Sequence, residues 1–102
     1  MHCMVSWGSP TVSTPLTAAA HEALEQALAP SDALKVFPGT LVVVIANDAE
    51  RVEIQNKLVD VAKTLGERVN ILISPPMNGG PVYRGYIPST LWPELSKRTA
   101  SG

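Results

Sequence analysis

The chain has 102 residues, of which 45% are hydrophobic and 17% are charged, and its formal net charge is −1. This length suits one hydrophobic core, so we expect residues 1–102 to form a single domain. The near-neutral charge excludes a bulk attraction to nucleic acid or membrane surfaces. The longest apolar run, 41–46, is too short to span a bilayer. Cys3 is alone and no Lys or Arg precedes Lys35, so we expect no internal disulfide, no signal peptide and a cytoplasmic location.

The N-terminal third predicts a lead-in followed by a helix. We expect residues 1–13 to be irregular, with room for a short strand around Met4 to Trp7. A helix is predicted to open at Thr14-Pro15, where Thr caps free N–H groups and Pro loses no bond, and to run to about Ala29. Apolar residues recur on one side of this helix at three- and four-residue steps: Leu16, Ala20, Ala23, Leu24, Ala27 and Leu28.

The middle of the chain predicts a strand, a helix and a second strand. The run 41–45 lacks polar alternation, which is typical of a strand buried on both faces of a parallel sheet. Asp48 then caps a helix over 49–65, and 69–73 forms the second strand. The apolar stripe of this helix consists of Ile54, Leu58, Val61, Ala62 and Leu65. Short connections predict a right-handed parallel βαβ unit with Val43 and Leu72 as neighbours in the core.

Prolines concentrate in the last third, which predicts less regular structure. Residues 75–81 are a loop by composition, and 82–87 predict an antiparallel edge strand. Residues 89–98 predict a short amphipathic helix, or two helical turns around Pro93, that offers Leu91, Trp92 and Leu95 to the core. The fold class we expect is therefore α/β, a small mixed sheet with a central parallel βαβ unit and about three helices.

One group of polar residues is a candidate ligand site. Ligands of open α/β sheets bind beyond the carboxyl ends of the parallel strands. Those ends are Asn47-Asp48 and the loop that begins at Ser74 and includes Asn78, and Arg84 is the nearest cation in sequence. These residues predict a crevice for a small ligand or phosphate. The competing interpretation makes Asp48 a helix cap and the loop a connector.

Other chemistry finds little support in the sequence. His2, Cys3 and His21 lack a metal-ligand spacing, and no phosphate-loop or nucleophile motif is present. We therefore assign no catalytic residue, metal or cofactor and do not favour an enzyme. The basic pair Lys97-Arg98 suits a helix C-terminus, and without a basic stripe a nucleic-acid accessory role is the least favoured class.

The aromatic residues and the low charge favour contacts with other proteins. Trp7, Tyr83, Tyr86 and Trp92 lie outside the predicted βαβ core and are candidate interface residues. So short a chain cannot generously cover both faces of the 41–45 strand, which favours self-association. The leading hypothesis is a non-enzymatic interaction or assembly module that forms a homo-oligomer. The alternative is a small-ligand or phosphate-binding domain that uses the strand-end crevice.

Overall fold

The computed structural model describes residues 1–79 and 83–99. Seven elements follow one another in these ranges: β1 His2–Gly8, α1 Ala18–Ala27, β2 Ala33–Phe37, β3 Thr40–Val44, α2 Asp48–Thr64, β4 Asn70–Ile73 and α3 Leu91–Thr99. The result is a small mixed α/β domain. Within the same ranges no helix combines the length and the apolar character needed to cross a membrane.

The four strands form one antiparallel sheet in the order β2-β3-β1-β4. β1 is interior, and it pairs with β3 on one side and with β4 on the other. β2 and β3 are joined by a tight turn in which Gly39 has a φ of 81°. A Cβ at this position would lie 2.6 Å from the carbonyl oxygen of Trp7, so the turn requires glycine.

The predicted parallel βαβ unit is wrong. β3 and β4 run in the same direction and α2 connects them, but β1 lies between them and is antiparallel to both. Val43 is fully buried opposite Cys3, whereas Leu72 pairs with Ser6 and is 75% exposed. Apolar runs and helix periodicity indicate the direction of the two strands, but they do not determine whether a third strand enters between them.

One face of the sheet, which we call the helix face, is covered by α1 and α2. Alternate residues of β1 and β3 point to this face, as the period of a strand requires. The apolar sides of the two helices close over them, and they include the buried residues of both predicted helix stripes. The resulting core contains Cys3, Val5, Trp7, Leu24, Leu28, Leu41, Val43, Ile45, Ile54 and Leu58.

The opposite face, which we call the open face, is covered only in part. α3 packs against β3 and β2 and buries Leu95 there. Val42 points to this face and is fully buried. The run 41–45 is therefore buried from both sides, as its composition predicts, although the sheet is antiparallel. β-Branched runs thus report burial more reliably than strand direction.

Both long helices begin at residues other than those predicted. Thr17 caps α1, and its hydroxyl accepts from the Ala20 N–H at 3.2 Å. The Glu67 carboxylate in turn accepts from the Thr17 hydroxyl at 2.6 Å, which lowers the pKa of Glu67. This long-range contact favours Thr17 over Thr14 as the start of the helix. For α2, the cap is Asn47 and not Asp48, since the Asn47 side chain accepts from the Glu50 N–H at 3.0 Å.

The last third is less regular than the prediction. Val82 of the predicted edge strand 82–87 lies outside the described residues, and residues 83–87 form no strand. Met77 instead pairs with the start of β1, where its backbone N–H and C=O exchange two 2.8 Å hydrogen bonds with those of His2. The helix predicted over 89–98 is present as α3, shifted by one or two residues.

Candidate functional site

Two of the five residues predicted to form the strand-end crevice, Asp48 and Ser74, are joined in the structure by Arg51. Arg51 was not among the predicted site residues. Arg51 Nε donates to Asp48 Oδ1 at 2.6 Å, and Arg51 Nη1 donates to the Ser74 carbonyl oxygen at 3.2 Å. The cation is thus already partnered by a carboxylate and ties α2 to the end of β4. Arg51 stands three residues after Asp48 on one helix, a spacing from which the pair could have been predicted.

The other residues of that predicted site lie in different surroundings. The side-chain oxygen of Asn47 is occupied as the cap of α2. Asn78 is exposed next to Met77. Arg84 lines a cavity on the open face, whereas α2 packs against the helix face. Arg84 thus lies on the face of the sheet opposite to the one on which α2 packs.

The four predicted interface aromatics lie in different environments. Trp7 is buried in the core, where its indole N–H donates to His21 Nδ1 at 3.0 Å, so it offers no surface to a partner. Tyr83 and Trp92 are half-buried on the open face. Tyr86 is fully exposed. Of these four aromatics, the three that a partner can reach thus belong to the C-terminal segment.

His2 and Tyr83 connect that segment to β1. His2 is fully buried, and its Nε2 lies 2.8 Å from the Tyr83 hydroxyl. The hydroxyl also donates to the Met77 sulfur at 3.7 Å, while His2 Nδ1 has no partner among the described residues. Burial lowers the pKa of His2, so the ring is neutral at pH 7. In residues 1–79 and 83–99 no three His, Cys, Asp or Glu side chains gather as metal ligands.

A cavity of about 200 Å³ lies between the open face and the C-terminal segment. Its floor is the strand surface and its walls come from α3 and residues 83–87. The lining is mostly apolar and aromatic, which is typical of small-ligand sites. Its members include Met4, Phe37, Val42, Arg84, Trp92 and Leu95.

The free edge of β4 is a second candidate site. The Ser74 N–H donates to the Met4 carbonyl oxygen at 2.8 Å, which makes this a hydrogen-bonded position of the β1–β4 ladder. Such positions alternate along an antiparallel ladder, so the backbone groups of Leu72 point to β1. Those of Ile71 and Ile73 point away from the sheet. Among residues 1–79 and 83–99 no strand pairs with this side of β4, so its outward backbone donors and acceptors lie free next to an exposed leucine.

Comparison with family models, with characterised proteins and with solved structures found no match. The order of the first six elements with this strand arrangement is the split βαβ, or ferredoxin-like, topology. Folds of this generality carry many unrelated functions. Function is therefore inferred from the two sites described above.

Proposed function

We propose that this chain is a self-associating interaction module in which β4 pairs with β4 of a second copy. The observation that carries the proposal is the free edge of β4, with the outward backbone groups of Ile71 and Ile73. An open strand edge is a template for another strand. A strand that is available in every copy of the chain most simply pairs with itself, because a two-fold axis then satisfies both edges at once.

The other edge of the sheet is less suited to pairing. β2 has an irregularity between Lys35 and Phe37, which interrupts a regular ladder. Lys35 also places a charge on this strand, where its Nζ lies 3.1 Å from Glu25 Oε1. Bulges and lysines are devices by which proteins protect sheet edges. β4 has the composition Asn-Ile-Leu-Ile and carries neither.

The proposed self-complementary register is centred on Leu72, because it uses the outward backbone groups of Ile71 and Ile73 in both copies. Ile71 of one copy faces Ile73 of the other, and the two residues exchange both backbone hydrogen bonds. The two-fold axis then passes between the Leu72 residues of the two copies. This central pair is not hydrogen-bonded across the junction, so its side chains approach closely on the open face. Pairing thus buries Leu72, which is 75% exposed in the single chain.

The helix face adds apolar surface beside the same edge. A depression of about 340 Å³ lies between α2 and β4, lined by Val59, Ala62, Lys63, Val69 and Ile71. Val69 and Ile71 are half-buried because α2 does not cover the outermost strand completely. A second copy placed along β4 covers this depression from the side, which adds hydrophobic stabilisation to the backbone pairing.

Sedimentation velocity tests the proposal. We expect the wild-type chain to sediment as a dimer, with twice the 10.9 kDa mass of one chain, at concentrations up to about 100 µM. Leu72→Lys places two like charges opposite each other and should give a folded monomer. The matched control is Val12→Lys, since Val12 is fully exposed in the loop before α1, and this variant should remain dimeric.

Two outcomes would contradict the proposal. A wild-type chain that stays monomeric across that concentration range excludes self-association. A Leu72→Lys variant that sediments with the wild type shows that the copies meet elsewhere. Circular dichroism of both variants establishes that any change in mass is not a loss of folding.

A further inference from the structure

The cavity on the open face combines an apolar lining with one positive charge. Arg84 is the cationic side chain among its lining residues. In residues 1–79 and 83–99 no carboxylate forms an ion pair with it. The guanidinium is therefore available to an anion that reaches the cavity.

Two other polar groups of the lining are already engaged within the chain. The Tyr83 hydroxyl contacts His2 Nε2, and the Thr40 hydroxyl lies 3.2 Å from the Ser6 hydroxyl. Among the described lining residues Arg84 alone carries a positive charge, so it is the group that favours an anionic ligand over a neutral one. A single cation suits one negative charge, and a guanidinium fits the two oxygens of a carboxylate.

The size of the cavity defines the rest of the ligand. An apolar cavity of about 150 Å³ is large enough to hold benzene. The 200 Å³ here is enough for one aromatic ring and a short substituent, but it is below the range of drug-sized sites. Trp92 and Phe37 supply aromatic surface for stacking or edge contacts with such a ring.

We propose that the cavity between the open face and α3 binds a small aromatic carboxylate, with its ring against Trp92 and its carboxylate at Arg84. The floor of the site consists of Met4 and Val42, side chains of the two interior strands. This site is separate from the β4 edge, and it forms whether or not the chain self-associates.

The chain's two tryptophans provide a direct measurement. Trp92 lines the cavity, whereas Trp7 lies in the core under the helix face, hydrogen-bonded to His21. In a ¹⁵N-labelled sample each indole N–H gives its own resonance. Titration with benzoate should shift the Trp92 resonance in a saturable manner and leave the Trp7 resonance in place. Benzamide, which has the same shape without the charge, should bind about tenfold more weakly.

Arg84→Gln should lower the affinity for benzoate to that of benzamide. The matched control is Lys97→Gln, which removes a cation from α3 that does not line the cavity, and this variant should bind benzoate as the wild type does. The same titration on monomeric Leu72→Lys should reproduce the wild-type curve, which separates this site from the proposed self-association.

Three results would overturn the proposal. The first is the absence of a saturable Trp92 shift up to roughly 20 mM benzoate. The second is equal benzoate affinity for Arg84→Gln and the wild type. The third is an equal shift of both indole resonances, which indicates a general effect of the salt and not a site at Trp92.

Discussion

The two faces of the sheet are built from the same strands but are closed to different degrees. The helix face lies under two helices of ten and 17 residues, and Leu24 and Leu58 are completely buried there. The open face lies under α3, of nine residues, and residues 83–87. A cavity and the exposed side chain of Leu72 remain on that side.

This difference separates the source of stability from the source of binding. Side chains alternate along a strand, so each strand contributes to both faces equally. The buried hydrophobic cluster lies where two helices cover the sheet, and stability follows the apolar area removed from water. The incompletely covered face and the edge beside it keep apolar surface for other molecules. The experiments below test this division, beginning with the largest expected effect.

Substitutions at Val43 and Leu72 distinguish the observed antiparallel sheet from the predicted parallel βαβ unit. Val43→Asp places a charge without a partner in the core and should cost several kcal/mol, enough to prevent folding. Leu72→Asp changes a 75% exposed side chain and should cost less than about 1 kcal/mol. Urea denaturation at low protein concentration measures both. Comparable losses at both positions would contradict the topology, because adjacent parallel core strands bury both residues.

Leucine truncations on the two faces compare their packing. Leu24→Ala removes a fully buried side chain from the helix face and should cost about 3–4 kcal/mol. Leu95→Ala should cost about 2 kcal/mol, since Leu95 already borders the cavity and loses fewer contacts. Thermal or urea unfolding of the two variants and the wild type measures the loss of unfolding free energy at each position. A larger loss for Leu95→Ala would show that the open face is the better packed one.

His2 gives the smallest effect, a dependence of stability on pH. Burial holds its pKa in the folded chain below the ordinary value of 6.5. Below pH 6.5 the unfolded chain therefore binds more protons, and stability is lost as the pH falls toward the folded pKa. His2→Gln removes this proton uptake and retains a group that can bond Tyr83. We expect the difference in unfolding free energy between the two proteins to change between about pH 7.5 and 5.5. A constant difference would contradict the buried neutral ring.

Local patterns predicted the elements that are long or strongly apolar. Periodicity in 49–65 and the run 41–45 correspond to α2 and β3, because each signal spans several turns or residues of one element. β1 was underestimated although Cys3, Val5 and Trp7 alternate with less buried residues, a period of two that is visible in the sequence. β2 has five residues and one charge, too little for a clear pattern.

The arrangement of the elements and the sites depended on contacts distant in sequence. The insertion of β1 between β3 and β4 joins residues about 70 positions apart, as in the Val5–Ile73 pair. Asp48 and Ser74, which Arg51 joins, follow the ends of β3 and β4. The sequence did indicate that these two strands run in the same direction, and their ends therefore lie on the same side of the sheet. The position of Arg84 depends on the path of a proline-rich segment without a periodic pattern, so neither its cavity nor the free edge of β4 could be predicted.

Cross-linking at the proposed two-fold axis tests the central claim most directly. In the register proposed above, Leu72 faces Leu72 of the second copy with Cα atoms about 4.5 Å apart, a distance that a disulfide can span. Asn70→Cys is the matched control on the same strand and face, because the two copies of position 70 lie more than about 13 Å apart. Cys3 does not compete, since burial raises the pKa of its thiol.

The measurement is the fraction of covalent dimer after mild oxidation, by mass spectrometry under non-reducing conditions. We expect Leu72→Cys to convert almost completely to the dimer and Asn70→Cys to remain a single chain. Equal cross-linking of the two variants, or none at position 72, would contradict the pairing of β4 with a second copy.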